Sequence, residues 1–402
     1  MVEKFKFASL NSLCTQIIDC PHSSPKWTTT GFPVIRNYNI KDGRIDTTKL
    51  SYVDEETYIS RNKRATPQAG DIVISREAPM GVAAIIPDNF KCCMGQRLVL
   101  LKVDRNKCDP QYLLYALMSQ FVQAQIKRFD TTGSIVSNLN IKDLGNLIIP
   151  LIDNQRAVAQ LVKKIDDKID GNKIISKHLE FIARLVYNYW FVQFDFPDEN
   201  GRPYRSSGGK MVWNEHLKRD IPEGWTVQSL FDAADVCYGI PLLTKKFSDS
   251  GLPVVRIRDI LDNSTSAFTC QQVDVKFLTQ KGDLLIGMDG NFQMNYWHQT
   301  GDCVNQRIVR IREKKIPVMI IRFQVEPHIK AKVDNVARST VGHLSDKDLK
   351  SLHIITPKDM SILKGFDTYI NQICLLGAEN RQLTALRNFI LPLLMNGQVK
   401  LK

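Results

Sequence analysis

"GFPVIRNYNI" runs from Gly31 to Ile40, and "GLPVVRIRDI" runs from Gly251 to Ile260. Gly, Pro, Val, Arg and Ile fall in the same places in both, and Ile35 stands opposite Val255. One chain carries the same plan twice. A repeat of this kind decides the architecture before any single motif does.

The second copy can be followed onward in unbroken order. Gly70-Asp71 and the apolar run Ile72-Val73-Ile74 match Gly282-Asp283 and Leu284-Leu285-Ile286. Cys93, Gln96, Arg97 and Val99 match Cys303, Gln306, Arg307 and Val309. Ser134, Val136, Leu139 and Lys142-Asp143-Leu144 match Ser339, Val341, Leu344 and Lys347-Asp348-Leu349. The spacing between partners shrinks along the chain, so the first copy has the longer loops, mostly between Ile40 and Gly70. Loops tolerate such changes in length.

"GDIVISRE", "QRLVLLKV", "GDLLIGMD" and "NQRIVRIR" are short runs rich in Val, Ile and Leu, bounded by Gly or charge, and read as strands. "PQYLLYALMSQFVQAQIKRF", Pro110 to Phe129, reads as one helix with Pro in its first turn. Each copy is thus an α+β unit of about 140–150 residues, an ordinary domain size.

Each copy ends in a long helix. Val158, Val162, Ile165, Ile169, Leu179, Ile182, Val186 and Tyr189 recur at steps of mostly three and four, as a coiled-coil seam requires. Phe366, Ile373, Leu383, Leu386, Phe389 and Ile390 continue the repeat in the second helix. Neither seam can be covered alone, so the expectation is that the helices cover each other, antiparallel. The other reading packs each helix on its own unit. Gly171-Asn172 is a place where the first helix is expected to bend or loosen. Phe194 to Trp225, rich in Gly, Ser, Pro and charge, reads as a connecting segment.

Composition excludes several classes. The 402 residues are 43% hydrophobic, ordinary for a folded domain pair. The apolar runs fall short of the ~18 residues of a membrane span, and "MVEKFKFASL" lacks a signal-peptide core. A cytoplasmic protein with no membrane partner is expected. Nine cysteines without a Cys-x-x-Cys suggest neither a disulfide framework nor a typical zinc site. His22 near Cys20 and Cys14 is a poor metal set. The formal net charge of +12 favours a polyanion partner, with nucleic acid ahead of a membrane surface.

Catalytic signatures are missing together. There is no Gly-x-Gly, no Pro-Pro, no Walker A sequence and no His-Glu-x-x-His. Asp71 and Glu77 could suggest a nuclease, but Gly70-Asp71 reads better as a strand-entry turn because Gly282-Asp283 repeats it. No catalytic residue and no metal ligand is assigned.

The ordered set "GFPVIRNYNI", "GDIVISREAPMGVAAII", "TTGSIVSNLNIKDLGNLIIP", "DNQRAVAQLVKKID", "FVQFDFPDENGRPYRSSGGKMVWNE" and "IPEGW" resembles the specificity (S) subunit of type I DNA restriction-modification systems across essentially the whole chain. The resemblance implies an α+β protein with a pseudo-twofold internal repeat. Target-recognition domains at 1–152 and 208–357 would be separated by two long antiparallel coiled-coil helices, a central spacer helix at 153–195 and a C-terminal one at 358–402. A connecting segment would occupy 196–207. It also implies a non-catalytic subunit that binds double-stranded DNA, two methyltransferase (M) subunits and restriction (R) subunits. S-adenosylmethionine, ATP and Mg then belong to the partner subunits, and this chain needs no cofactor. The rival reading is a repeat-built DNA-binding regulator acting alone.

On the first reading each domain reads a few base pairs in the major groove. The target is bipartite, its halves centred about 10 bp apart, and asymmetric, because the loops of the two copies differ. Arg76 and Glu77 in one copy, and Asp289, Asn291 and Gln293 in the other, are the residue types that suit base edges. Lys26, Lys245 and Lys246 suit phosphates. Arg36 and Arg256, being shared, fit a fold-level ion pair and a DNA contact equally, and Arg258 lies beside the second. Gln96-Arg97 and Gln306-Arg307 suit a structural or phosphate role. Trp27 and Trp297 suit a groove or a core. Thr132, Ser134, Arg338 and Ser339 are further candidates before the last strand of each copy. Tyr189, Trp190 and Phe191 exceed one seam and are expected to bind the M subunit or to join helix to domain.

Overall fold

The computed structural model describes residues 6–129, 138–335, 342–395 and 398–399. Packing divides the chain into two units, Met1–Lys168 with Leu383–Lys402, and Ile169–Gln382. The candidates Thr132, Ser134, Arg338 and Ser339 lie outside the described residues.

The first unit is built on a four-stranded antiparallel sheet, in the order Cys14–Asp19, Leu98–Val103, Ile72–Ser75, Ala83–Ile85. A second sheet pairs Phe32–Ile35 antiparallel to Ser51–Val53 and parallel to Cys93–Met94. A third pairs Lys6–Ser9 with Ile148–Leu151. The other unit repeats each of these. Its four-stranded sheet runs Ala234–Tyr238, Ile308–Glu313, Leu284–Gly287, Met294–Tyr296. Leu252–Val255 lies parallel to Cys303–Val304, and Thr226–Ser229 pairs with His353–Thr356. Even register is kept: Val34 faces Cys93, and Val254 faces Cys303. The second unit adds the strand Phe247–Ser248.

The central strands are buried on both faces, which is why Ile72–Ser75 and Leu284–Gly287 read as apolar runs, whereas Ile308–Glu313 buries Arg310 in an ion pair with Asp235 at 2.9 Å. Alternate side chains leave for opposite faces. Ile72, Ile74, Val99 and Leu101 join the helical core with Leu113 and Leu117, while Val73, Leu98 and Leu100 pack on Ile35 and Met94. The partition recurs with Leu284, Ile286, Val309 and Ile311 on one face, and Leu285 and Ile308 with Val255 and Trp297 on the other. Each fully buried aliphatic side chain contributes roughly 1.5–3 kcal/mol.

The helix expected over Pro110–Phe129 is two helices, Pro110–Met118 and Gln120–Arg128. Ser119 breaks it. Its backbone is extended, and its hydroxyl donates to the Ala116 carbonyl at 2.6 Å and accepts from the Val122 N–H at 3.4 Å. The same residue therefore ends one helix and caps the next. In the second unit the corresponding helix, Val318–Asn335, is unbroken, with Pro327 inside it.

The central helix covers Gln155–Tyr187 and continues as a π-helical turn, Asn188–Val192. It runs straight through the expected weak point. Gly171 has open space around it, and Asn172 is fully buried, its amide donating to Glu379 Oε2 at 2.8 Å and Asn380 Oδ1 at 2.9 Å. The C-terminal helix covers Lys364–Met395. Within the first unit Asp166 bonds Arg387, and Val158 and Val162 share a core with Leu394 and Met395. Within the second, Asn172 meets Glu379 and Asn380, and Trp190 meets Phe366. Rising numbers on one helix meet falling numbers on the other, so the pairing is antiparallel in both.

The connecting segment is more ordered than its composition implies. Met211–Asn214 and Arg219–Pro222 form an antiparallel hairpin. Phe191, Phe194 and Phe196 ring Trp225 at centroid distances of 5.1, 5.7 and 4.9 Å, which ties the segment into the second unit's core.

Candidate nucleic-acid interface

The same small constellation stands at one end of both four-stranded sheets. In the first unit the last ladder pair joins Leu98 to Ser75. Arg97 precedes it on one strand, and Arg76 and Glu77 follow it on the other. In the second unit Ile308 pairs with Gly287, with Arg307 before and Met288 and Asp289 after. Arg97 Nε lies 3.2 Å from Glu77 Oε2, and Arg307 Nε lies 3.8 Å from Asp289 Oδ2. The backbones agree as closely: the Arg97 carbonyl accepts from Arg76 N–H and the Arg307 carbonyl from Met288 N–H, both at 2.8 Å. Arg97 and Arg307 have φ of 68° and 70°, in the left-handed region that a side chain with a Cβ occupies at a cost. Both arginine side chains are more than half exposed, 55% and 56%.

Around this shared frame the two units diverge. Arg76 is 9% exposed and fully engaged within its own unit. It donates to both Asp19 carboxylate oxygens at 2.9 and 2.8 Å, to the Leu139 carbonyl at 2.9 Å and to Asn138 Oδ1 at 3.1 Å. It is thus an internal ion pair, not the surface base reader that its residue type suggests. At the same place the second unit buries Met288. Asp289 also accepts from His343 Nδ1 at 2.8 Å, which makes an Arg307–Asp289–His343 cluster with no counterpart among the described residues of the first unit.

Asn291 is exposed. With Gln293, Leu261, Met294, Glu326 and Lys330 it lines a cleft of about 300 Å³. Gln293 is half-buried, and its Oε1 has no hydrogen-bond partner among the described residues.

Arg36 and Arg256 part company as well. Both open a 3₁₀ turn, with Asn39 Oδ1 accepting from Arg36 N–H at 3.0 Å and Asp259 Oδ2 from Arg256 N–H at 2.9 Å. Beyond the backbone, Arg256 pairs with Asp259 at 3.4 Å and bonds Ser266. Arg36 instead sits over two exposed rings, 5.0 Å from Trp27 and 4.9 Å from Tyr38. An exposed guanidinium held on aromatic faces suits a nucleic-acid surface. Lys26, Lys245, Lys246 and Arg258 are all exposed. Trp297 is fully buried, its Nε1 donating to Asp302 Oδ2 at 2.8 Å, and belongs to the core.

Asp71 is likewise structural. It accepts from Gln68 N–H at 2.8 Å and pairs with Lys102 at 2.6 Å, and Asp283 repeats this with Gln280 N–H at 2.6 Å and Arg312 at 2.8 Å. Asp19, Cys20 and His22 converge closely enough to hold a metal, yet Arg76 occupies both Asp19 oxygens and burial raises the Cys20 thiol above its usual range. Their chemistry is that of an ion-pair network. Cys92 and Cys93 are fully buried, and burial pushes the Cys93 thiol up to about 11, so it is a poor nucleophile.

The three candidate partner residues separate. Phe191 is fully buried, stacked 5.2 Å from Tyr187 and edge-on to Trp225 at 5.1 Å, so it joins helix to domain and is not on a docking surface. Trp190 is half-buried, edge-on to Phe366 at 6.0 Å. Tyr189 is exposed, in a row with exposed Phe181, Leu185 and Val192. Steps of four, four and three place this row on one helix face.

Tyr38 and His343 carried no signal in the sequence. The repeated Gln-Arg marked Arg97 and Arg307 for a structural or phosphate role, but not their left-handed backbone or their carboxylate partners.

Among the described residues no helix is long and apolar enough to cross a membrane. A family model described as the type I restriction modification DNA specificity domain matches residues 3–180 and again 222–385. The chain is 22% identical over 391 residues to the type I restriction enzyme MjaIX specificity subunit of Methanocaldococcus jannaschii, covering 87% of this chain and 84% of that one. It is 22% identical over 409 residues to the HindI specificity subunit of Haemophilus influenzae, covering 82% and 86%. The crystal structure of a type I restriction-modification S subunit from M. genitalium aligns over 96% of this chain and 95% of that one, with a TM-score of 0.52 at 17% identity.

Proposed function

This chain belongs to the type I restriction-modification DNA specificity family, and from that premise we propose that it is the subunit that chooses the DNA sequence on which such a complex acts. Each unit reads one half of a bipartite target. The observation that carries this reading is the shared sheet-end frame with unshared surroundings. Arg97–Glu77 and Arg307–Asp289 recur, whereas their neighbours differ: Arg76 against Met288, and a cleft with Asn291 and Gln293 on the second unit. Two readers of one design with different edges read different words, so the target is asymmetric. The two long helices set the interval between its halves.

The chain is non-catalytic in this reading. The buried thiols of Cys92 and Cys93 and the ion-paired carboxylates of Asp71 and Asp283 support that. Methyl transfer and ATP-driven cleavage, with S-adenosylmethionine, ATP and Mg, belong to the methyltransferase and restriction subunits it recruits. The exposed row Phe181, Leu185, Tyr189 and Val192 supports such recruitment, because a solvent-facing apolar stripe of this length on a helix marks an interaction surface. The site of action is the cytoplasm, where the DNA is.

The test is a methylation map. A host carrying this chain with its methyltransferase subunit should methylate adenines in one interrupted, asymmetric sequence, and deletion of the chain should abolish those marks. A single uninterrupted target, or marks that persist without the chain, would overturn the reading.

A further inference from the structure

We propose that Arg97 and Arg307 are equivalent phosphate anchors, each held ready by a carboxylate that takes the place of the DNA phosphate until DNA arrives. This rests on the DNA-reading function above and goes beyond it by assigning the contact that positions each unit.

Three observations converge. The first is strain. Two exposed arginines occupy left-handed backbone, φ 68° and 70°, at matching positions where Gly would fit freely. Strained positions that persist mark places where the side chain is required. The second is geometry. Each arginine lies immediately before the first residue of a buried central strand, Leu98 or Ile308, so its root is rigid while its guanidinium stays more than half exposed. The third is the partner. Glu77 lies 3.2 Å from Arg97, and Asp289, whose other oxygen accepts from His343 Nδ1 at 2.8 Å, lies 3.8 Å from Arg307, so a carboxylate stands beside the equivalent guanidinium in each unit. An ion pair this exposed contributes little to stability, so it does not account for the strained backbone. It does account for a guanidinium kept oriented for an oxyanion.

The two units share this arginine while their surroundings differ. A residue common to two readers of different words cannot carry the difference between them. It carries what the half-sites have in common, the sugar-phosphate backbone. On binding, the phosphate takes over the guanidinium, and the carboxylate, now beside a like charge, opposes the contact. Glu77 and Asp289 thereby weaken binding to DNA of any sequence, and only a unit that also gains base contacts stays bound.

The experiment uses the full chain assembled with its methyltransferase subunit, and duplexes with the mapped target or a scrambled sequence. Arg97→Gln and Arg307→Gln should each weaken binding to both duplexes alike, by about 10-fold or more, and lower the slope of log affinity against log salt by about 1. Glu77→Gln should tighten binding to both. Arg97→Gly, which relieves the backbone, should melt no lower than the unsubstituted complex and still lose affinity. Unchanged affinity and salt slope in the Arg→Gln variants would overturn the assignment. So would a changed target-to-scrambled ratio, which would make these residues base readers, or a large loss of melting temperature in Arg97→Gly, which would make the pair structural. If the unsubstituted complex does not distinguish the two duplexes, the DNA-reading function itself fails, and the anchor with it.

Discussion

Asp166 on the central helix and Arg387 on the C-terminal helix are joined by a 2.7 Å hydrogen bond from Nη1 to Oδ1. Asp166 is 7% exposed, and its other oxygen accepts from the Tyr115 hydroxyl at 2.7 Å. One carboxylate therefore ties together the two long helices and a helix of the first unit's core. A buried carboxylate is tolerated when its partners satisfy it and is costly when one is removed. Arg387→Ala should destabilise the chain by about 3 kcal/mol, read by urea denaturation. Replacing both residues with Leu should recover much of that loss, because no charge is then left buried alone.

The duplicated opening stretch makes its own prediction. Gly31 and Gly251 have φ of 129° and 126°. A Cβ added to Gly31 would lie 2.3 Å from the Val53 carbonyl oxygen, and one added to Gly251 would lie 2.8 Å from that of Thr269. Both oxygens belong to the neighbouring strand and cannot move aside. Gly31→Ala and Gly251→Ala should each cost about 2 kcal/mol or more from backbone strain alone. The loss should be larger at Gly31, where the approach is closer. Equal and negligible losses in thermal melts would contradict the close approach.

These glycines show what was legible in the chain before folding. The duplicated "Gly-x-Pro-Val" could be matched by eye, and it became a duplicated strand in the same register, Val34 on Cys93 and Val254 on Cys303. The unbroken apolar runs became the central strands because both of their faces are covered. What was hidden depends on partners distant in sequence. Arg76 looks like a base reader until Asp19 arrives on the next-but-one strand to neutralise it. Ser119 looks helical until its hydroxyl is used to cap. Asn172 looks like a weak point until the opposing helix supplies Glu379 and Asn380. Polar residues take their meaning from tertiary neighbours, whereas apolar patterns carry theirs along the chain.

Asp19 and Arg76 allow a test of that last statement. Register places Asp19 beside Val99, and Tyr238 beside Val309, so Tyr238 and Met288 occupy in the second unit the places of Asp19 and Arg76 in the first. One architecture accepts an ion pair at these places in the first unit and, in the second, buried Met288 with Tyr238, whose hydroxyl donates to Asp346 at 2.6 Å. Arg76→Met alone leaves Asp19 without its bidentate partner and should cost about 3 kcal/mol. The double replacement Asp19→Tyr with Arg76→Met imports the second unit's solution and should cost markedly less. A double variant that is as unstable as the sum of its singles would mean that the two sites are not equivalent.

His298 in the second unit supplies a dependence on pH. Its ring lies against Gly377 of the C-terminal helix, where an added Cβ would come within 1.9 Å of Nδ1. Burial lowers its pKa to about 4, and the nearby charges of Arg381 and Lys281 act in the same direction. In the unfolded chain the ring titrates near ~6.5. Above that pH both states are neutral, and the contribution is fully present. Between about 6.5 and 4 the unfolded chain takes up a proton that the folded one refuses, so stability falls as pH falls, by up to about 1.4 kcal/mol per pH unit. Below about 4 both states are charged, and this loss stops growing. Urea midpoints measured from pH 7.5 to 4.5 should therefore drop more steeply for the unsubstituted chain than for His298→Gln. The difference between the two curves cancels the contribution of the carboxylates, including Asp302, whose pKa burial raises. Parallel curves would show that the ring takes its proton without resistance, and that the packing against Gly377 is looser than the contact implies.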